Sequence, residues 1–209
     1  LGTAPELVVS SKGHRLRTAR AGYAPEERDV DDLLLAIRSL LGNYRLVPVQ
    51  GLPRFAGGLV GYLSYDLVRF FEKLPTRTQD DLGIPDVHLM LADTLVIFDN
   101  VAHKIKVVSH AHLDGTGDLR AAYDAACEKV DRLIERLAQP VRAPRLATPA
   151  KPAPTVSNLT QEQYEAMVRR AKDYIVAGDV IQVVLAQRFS RPLQAHPFNI
   201  YRCLRAVNP

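Results

Sequence analysis

Apolar positions near the start of the chain come in short alternating runs. Glu6-Leu7-Val8-Val9-Ser10 is followed by Lys12-Gly13 and by a second arm, 14–20, that alternates around Leu16 and Thr18. With a glycine able to take positive φ at the turn, this pattern predicts a β-hairpin. At Asp29 the period changes. Val30, Leu33, Leu34, Ile37, Leu40 and Leu41 recur at helical spacing, Asp31 and Asp32 suit the positive end of a helix, and Gly42 is a natural stop. Residues 55–62 are apolar but carry Gly57, Gly58 and Gly61, which predicts a strand whose backbone packs closely against a neighbour or bulges. A short helix or turn is expected over 65–71. A second hairpin is then expected, with one long apolar arm at 88–98, a turn at Asp99-Asn100 and a return arm at 105–108. From Asp118 a long amphipathic helix lines up Leu119, Ala122, Ala126, Val130, Leu133 and Leu137.

The periodicity then lapses. Pro140, Pro144, Pro149, Pro152 and Pro154 fall within 139–155 with no apolar pattern, the mark of an extended linker. The division expected is an N-terminal domain over 1–139, a proline-rich linker over 140–156 and the start of a second domain over 157–209. Thr160 and Gln163 form a capping box for a helix whose apolar face is Tyr164, Met167, Val168, Ala171, Tyr174 and Ile175, and Gly178-Asp179 ends it. Residues 180–189 are nearly continuously β-branched or apolar, which predicts a strand buried on both faces. A last helix starts at His196-Pro197 and carries Ile200, Leu204 and Val207. The order of elements is not the regular alternation of a doubly wound fold. It predicts an α+β architecture of mixed or antiparallel sheets with flanking helices. The part after the linker is too short to cover both faces of its own strand, so the chain is expected to be a piece of a larger body, lacking its C-terminal part, or to need a partner.

Composition narrows the class. Of 209 residues 47% are hydrophobic and 24% charged, the balance of a globular chain rather than a disordered one. No apolar run approaches the roughly 20 residues of a membrane-spanning helix, so no membrane association is expected. The net charge of +4 comes from interleaved signs, 27 basic against 23 acidic, and gives no concentrated face for nucleic acid. Cys127 and Cys203 are far apart and lack metal-ligand spacing, and no secretory signal opens the chain, so a reduced, cytoplasmic setting is the simple reading.

Few residues announce chemistry. In the 180–189 run, alternation puts Val180, Gln182, Val184, Ala186 and Arg188 on one face. An amide among apolar neighbours must find hydrogen-bond partners, and Gln182 reads first as a structural residue bonded to backbone. Gln182 and Arg188 are about 20 Å apart along a strand and cannot share one small-ligand shell. The 55–62 glycines fit neither a phosphate loop nor a dinucleotide fingerprint, which leaves packing as the better reading. His110 and His112 share a strand face, where a metal pair is conceivable, but they read as solvent-facing residues at a strand end. Asp31-Asp32 and Asp80-Asp81 read as helix-start and loop charges.

Two stretches carry more. Phe55-Ala-Gly-Gly-Leu-Val-Gly-Tyr-Leu-Ser-Tyr-Asp-Leu-Val-Arg-Phe-Phe-Glu-Lys-Leu-Pro75 resembles the N-terminal domain of anthranilate synthase large subunits (component I). Gly178-Asp-Val-Ile-Gln-Val-Val-Leu-Ala-Gln-Arg-Phe189 resembles the first strand motif of the chorismate-utilising domain. The resemblance implies an intact protein, a lyase, that takes chorismate and ammonia, with Mg²⁺, to anthranilate and pyruvate in tryptophan biosynthesis. A glutamine amidotransferase subunit (component II) would supply the ammonia, and tryptophan would act as feedback inhibitor. Gln182 matches the position at which related water-adding enzymes carry a lysine. A lysine of lowered pKa can activate water as a base, whereas ammonia is already a nucleophile and an amide suffices to shape the pocket, so Gln182 is implied to be a positioning group of the active-site region. Asn208-Pro209 match the start of an Asn-Pro-x-Pro-Tyr motif that helps form the tryptophan site. The Mg²⁺ ligands are implied to lie beyond Pro209, with no metal site in these residues, and these residues alone are expected to be inactive. The alternatives are a regulatory and interaction scaffold without catalysis and the large subunit of aminodeoxychorismate synthase; the glycine-tyrosine stretch favours anthranilate synthase over the latter.

Overall fold

The computed structural model describes residues 2–113, 117–141, 143–145 and 153–209. The chain divides into two compact units, Leu1–Pro140 and Val141–Pro209.

In the first unit the predicted hairpin is β1 (Leu7–Lys12) with β2 (Arg15–Arg20), in antiparallel register from Leu7 opposite Arg20 to Lys12 opposite Arg15. Gly13 turns it at φ 52°. A third strand, β3 (Glu26–Asp29), pairs with β2. The sequence reading missed it because Glu-Glu-Arg-Asp has no apolar alternation. It is an edge strand whose carboxylates face Arg15 and Arg17 across the ladder. Asp29 therefore closes a strand instead of opening the helix. Helix α1 (Leu33–Gly42) starts later, where the Asp32 side chain accepts the Leu35 N–H at 2.9 Å.

Strand β4 (Gly58–Leu63) leads through a 3-10 helix over Tyr65–Phe70 to β5 (Val87–Ala92), and β4 pairs with β5 over six residues. The five-stranded antiparallel sheet runs β3-β2-β1-β5-β4. Its inner face buries Leu7, Val9, Leu16, Val87, Leu89 and Leu91, and Leu33, Ile37 and Leu40 of α1 pack against them with Leu67 and Phe70. The alternation read from sequence is thus the alternation of burial.

The long apolar arm expected over 88–98 is two strands. After β5 the chain leaves the large sheet at Asp93 and begins β6 (Thr94–Asp99), which turns at 100–103 into β7 (Lys104–Ser109). One unbroken apolar run hid the change of sheet. Helix α2 (Leu119–Ala138) is capped by Asp118, buries Ala126 and Leu133, and packs on β7.

The second unit contains β8 (Val156–Ser157), α3 (Gln161–Ala177), β9 (Phe189–Ser190) and α4 (Pro197–Val207). The capping box is formed as read: Thr160 Oγ1 accepts the Gln163 N–H, and Gln163 Oε1 accepts the Thr160 N–H at 2.9 Å. Gly178 ends α3 at φ 83°. Residues 142 and 146–152 of the expected linker lie outside the described residues.

The expected strand over 180–189 does not form. Only Phe189–Ser190 pairs, with Val156–Ser157; Ile181 is 98% exposed and Val184 84%. A strand satisfies its backbone only through neighbours, and among the described residues no strand pairs with 180–188; at its end the Arg188 N–H donates to Asn158 Oδ1 and Gln187 Nε2 to Ser157 Oγ. The burial expected for Gln182 falls with it. The apolar composition of the run is real, but the described residues leave Ile181 and Val184 uncovered.

Candidate functional site

The residues singled out from sequence are not brought into one place. Gln182 lies exposed in the extended 180–188 segment and makes no hydrogen bond among the described residues, so it is not the backbone-bonded structural amide expected. Asn208 follows the last turn of α4, where its backbone N–H donates to Leu204 O at 2.8 Å, and Pro209 is exposed after it.

The glycine run has the packing role assigned to it. Gly61 on β4 lies so close to β5 that a Cβ there would run into the His88 carbonyl, and a Cβ on Gly57 would meet His110 Nε2. His110 is half-buried and donates to the Ala56 carbonyl at 2.6 Å, so it is not solvent-facing.

His112 departs further from its expected role, because carboxylates do accompany it from distant parts of the chain. Its Nε2 lies 2.9 Å from Glu6 Oε2 and 3.2 Å from Asp93 Oδ2. Three features of the fold bring them together. Glu6 immediately precedes β1, Asp93 is the single residue between β5 and β6, and His112 follows the end of β7. The β6–β7 pairing holds Asp93 and the segment after β7 side by side, and the His110 N–H donates to the Asp93 carbonyl at 3.1 Å. Cations flank the trio. Arg20 Nη1 is 3.3 Å from Glu6 Oε1, and Lys129 of α2 is 3.2 Å from Asp93 Oδ2. The Tyr44 ring meets His112 edge-on at 5.9 Å, and Arg20 reaches the Tyr44 hydroxyl at 3.5 Å.

Asp93 is only 4% exposed. Burial works against its charge, but hydrogen bonds from His112 and Lys129, with their positive charge, outweigh burial and hold the carboxyl below its ordinary range. The trio lines one wall of a cavity of about 630 Å³ that also touches Tyr44, Arg45 and Gly57. Sequence reading could not find this group, since its members are separated by 87 and 19 residues' worth of intervening fold and no local spacing links them.

Among the described residues only Glu6, Asp93 and His112 bring three possible metal-ligand atoms within 4.8 Å of one another. This set does not fit the Mg²⁺ that the resemblance implies. Mg²⁺ takes near-octahedral oxygen coordination, and here one of the three donors is an imidazole nitrogen. In the second unit Glu162 and Asp179 are exposed and belong to no such group.

The antiparallel α+β body agrees with the comparisons. The family model described as chorismate binding enzyme matches residues 16–209, and the chain belongs to that family. Within it, the similarity is to anthranilate synthase component 1. The chain is 38% identical over 218 residues to that protein of Pseudomonas putida and 40% identical over 216 residues to that of Pseudomonas aeruginosa. Both alignments cover all of this chain but 43% of the relative, so the chain spans less than half the length of these curated relatives. The crystal structure of anthranilate synthase component I from Streptococcus pneumoniae superposes with a TM-score of 0.79 at 26% identity, over 100% of this chain and 45% of that one. No helix among the described residues is long and apolar enough to cross a membrane.

Proposed function

We propose that these residues form the amino-terminal portion of an anthranilate synthase component I, a cytoplasmic lyase of tryptophan biosynthesis. The intact protein would convert chorismate and ammonia to anthranilate and pyruvate, with the ammonia drawn from glutamine by a partner amidotransferase and with tryptophan as feedback inhibitor. The observation that carries this reading is similarity to component 1 relatives along the whole chain at 38–40% identity. The open 180–188 segment supports it: an apolar run that finds no neighbours here is what an inner strand of a longer catalytic body looks like without that body.

In this reading Gln182 is a positioning residue. Its amide can donate to and accept from a polar substrate without taking a proton, which suits an incoming ammonia that needs no general base. Asn208 and Pro209 begin the effector motif, and Mg²⁺ would be held by residues further along the intact protein. Gln182 is exposed and makes no hydrogen bond among the described residues, and catalysis depends on groups held close to their productive geometry. The portion alone is therefore inactive.

The test is anthranilate fluorescence in a mixture of chorismate, ammonium and Mg²⁺. The 209-residue chain should give no turnover above background, and a protein of the relatives' full length containing it should form anthranilate. Aminodeoxychorismate formed instead by that longer protein, or robust turnover by the 209 residues alone, overturns the assignment.

A further inference from the structure

We propose that Glu6, Asp93 and His112 form a binding site for a divalent cation of the zinc or cobalt type, at which Lys129 is the resident competitor. The donor atoms are Glu6 Oε2, Asp93 Oδ2 and His112 Nε2, all within 4.8 Å of one another. The imidazole nitrogen lies 2.9 and 3.2 Å from the two carboxylate oxygens, and tetrahedral bonds of about 2.0–2.2 Å would set neighbouring ligand atoms about 3.3–3.6 Å apart, so an ion that replaces the imidazole proton needs the three groups to spread by only a few tenths of an ångström. One imidazole with two carboxylates is a donor set for zinc, cobalt or related ions. Three protein ligands leave a coordination position for water, and the adjoining cavity gives that position access.

The flanking cations decide whether the site can load. Arg20 bonds Glu6 through Oε1, the oxygen turned away from His112, so it can remain beside a bound ion and orient that carboxylate. Lys129 occupies Asp93 Oδ2 itself and must leave. It can do so only as the incoming ion replaces its charge. Its side chain is 37% exposed and reaches Asp93 on a flexible stem, so the ammonium can swing into water once another cation takes its place. What it leaves behind is a carboxylate 4% exposed that needs a cation, and a divalent ion meets that need at the same atom. The alternative is a closed ion-pair network with no room for metal. The two predict opposite behaviour on removing Lys129.

The experiment is a titration of the chelator-treated 209-residue chain with Co²⁺, followed by visible absorption, and with Zn²⁺, followed by calorimetry. One equivalent should bind. His112→Ala and Glu6→Gln, both at positions outside the buried core, should each weaken that binding by more than about tenfold. Lys129→Met, which deletes the competitor, should tighten it by about fivefold. Absence of saturable binding, unchanged affinity in His112→Ala, or weaker affinity in Lys129→Met overturns the proposal and leaves an ion-pair network.

Discussion

Replacing Gly61 by alanine tests whether the glycines in β4 are there for close backbone approach. The added Cβ would meet the His88 carbonyl oxygen, the His88 carbonyl carbon and Leu89 Cα, all main-chain atoms of β5. No side chain can rotate away, so β4 must lift from β5 along a register that runs from Gly58 opposite Ala92 to Leu63 opposite Val87. Leu59, packed on the core beside Leu91, moves with it. Overpacking at an ordinary core site costs about 1–3 kcal/mol, and a clash confined to backbone belongs at the top of that range. For a unit of this size about 3 kcal/mol corresponds to a fall in Tm of about 10 °C. Gly42 is the control: it ends α1 with open space around it and no positive φ, so Gly42→Ala should raise stability by about 0.5 kcal/mol. Thermal unfolding by circular dichroism, with both variants in one buffer, gives the two signs directly. A Gly61→Ala melting point within about 2 °C of the parent refutes the close-approach account, because a clash of that kind cannot be absorbed so cheaply.

Three further outcomes are expected. Asp93, whose folded pKa is lowered, contributes stability that is present above its unfolded value near 3.8 and is lost as pH falls through the folded value; Asp93→Asn should therefore cost about 1–2 kcal/mol near neutrality in urea unfolding, with the gap from the parent closing as pH drops below about 4. Thr160→Ala removes the acceptor for the Gln163 N–H and half of the capping box, and should reduce helicity at 222 nm with a cost of about 1 kcal/mol to α3. The double change Ile181→Ser and Val184→Ser should leave the unfolding midpoint of this chain within about 0.5 kcal/mol of the parent, since both side chains already face water; a loss of several kcal/mol would mean that the segment is buried after all.

What could be read from sequence divides along physical lines. The β1–β2 hairpin, α2 and α3 were legible because each signal is local: Gly13 at a turn, Asp118 and Thr160 at caps, an apolar stripe at helical period. β3 was not, because Glu26–Asp29 is held by its position at a sheet edge and by charges on Arg15 and Arg17, neither of which leaves an apolar pattern. The division of 88–98 at Asp93 was missed for the opposite reason. Apolar continuity reports burial and is silent on which sheet a strand joins. That same residue is then the hub of the Glu6–Asp93–His112 group, so the error in the fold and the error in the site have one source. A buried carboxylate inside an apolar run needed an explanation from sequence, and the partners that supply it come from the start of β1, the end of β7 and α2.

The 180–188 run shows why apolar composition predicts an environment and not a structure. A helix bonds its own backbone, so α3 stands with its capping box formed although none of its residues is buried. A hairpin needs one neighbour and brings it along, as β6 and β7 do. A strand apolar on both faces needs neighbours on each side and cover above and below, none of which can come from within ten residues. Ile181 and Val184 therefore stay in water, each forgoing about 1.5–3 kcal/mol of burial. Gln182, lying between them, shares their condition: it is exposed and makes no hydrogen bond among the described residues. In the role proposed for it, Gln182 cannot place a nucleophile from such a base. The inactivity expected of this chain thus follows from the same missing neighbours that leave Ile181 exposed, and whatever restores pairing to this run should order Gln182 in the same step.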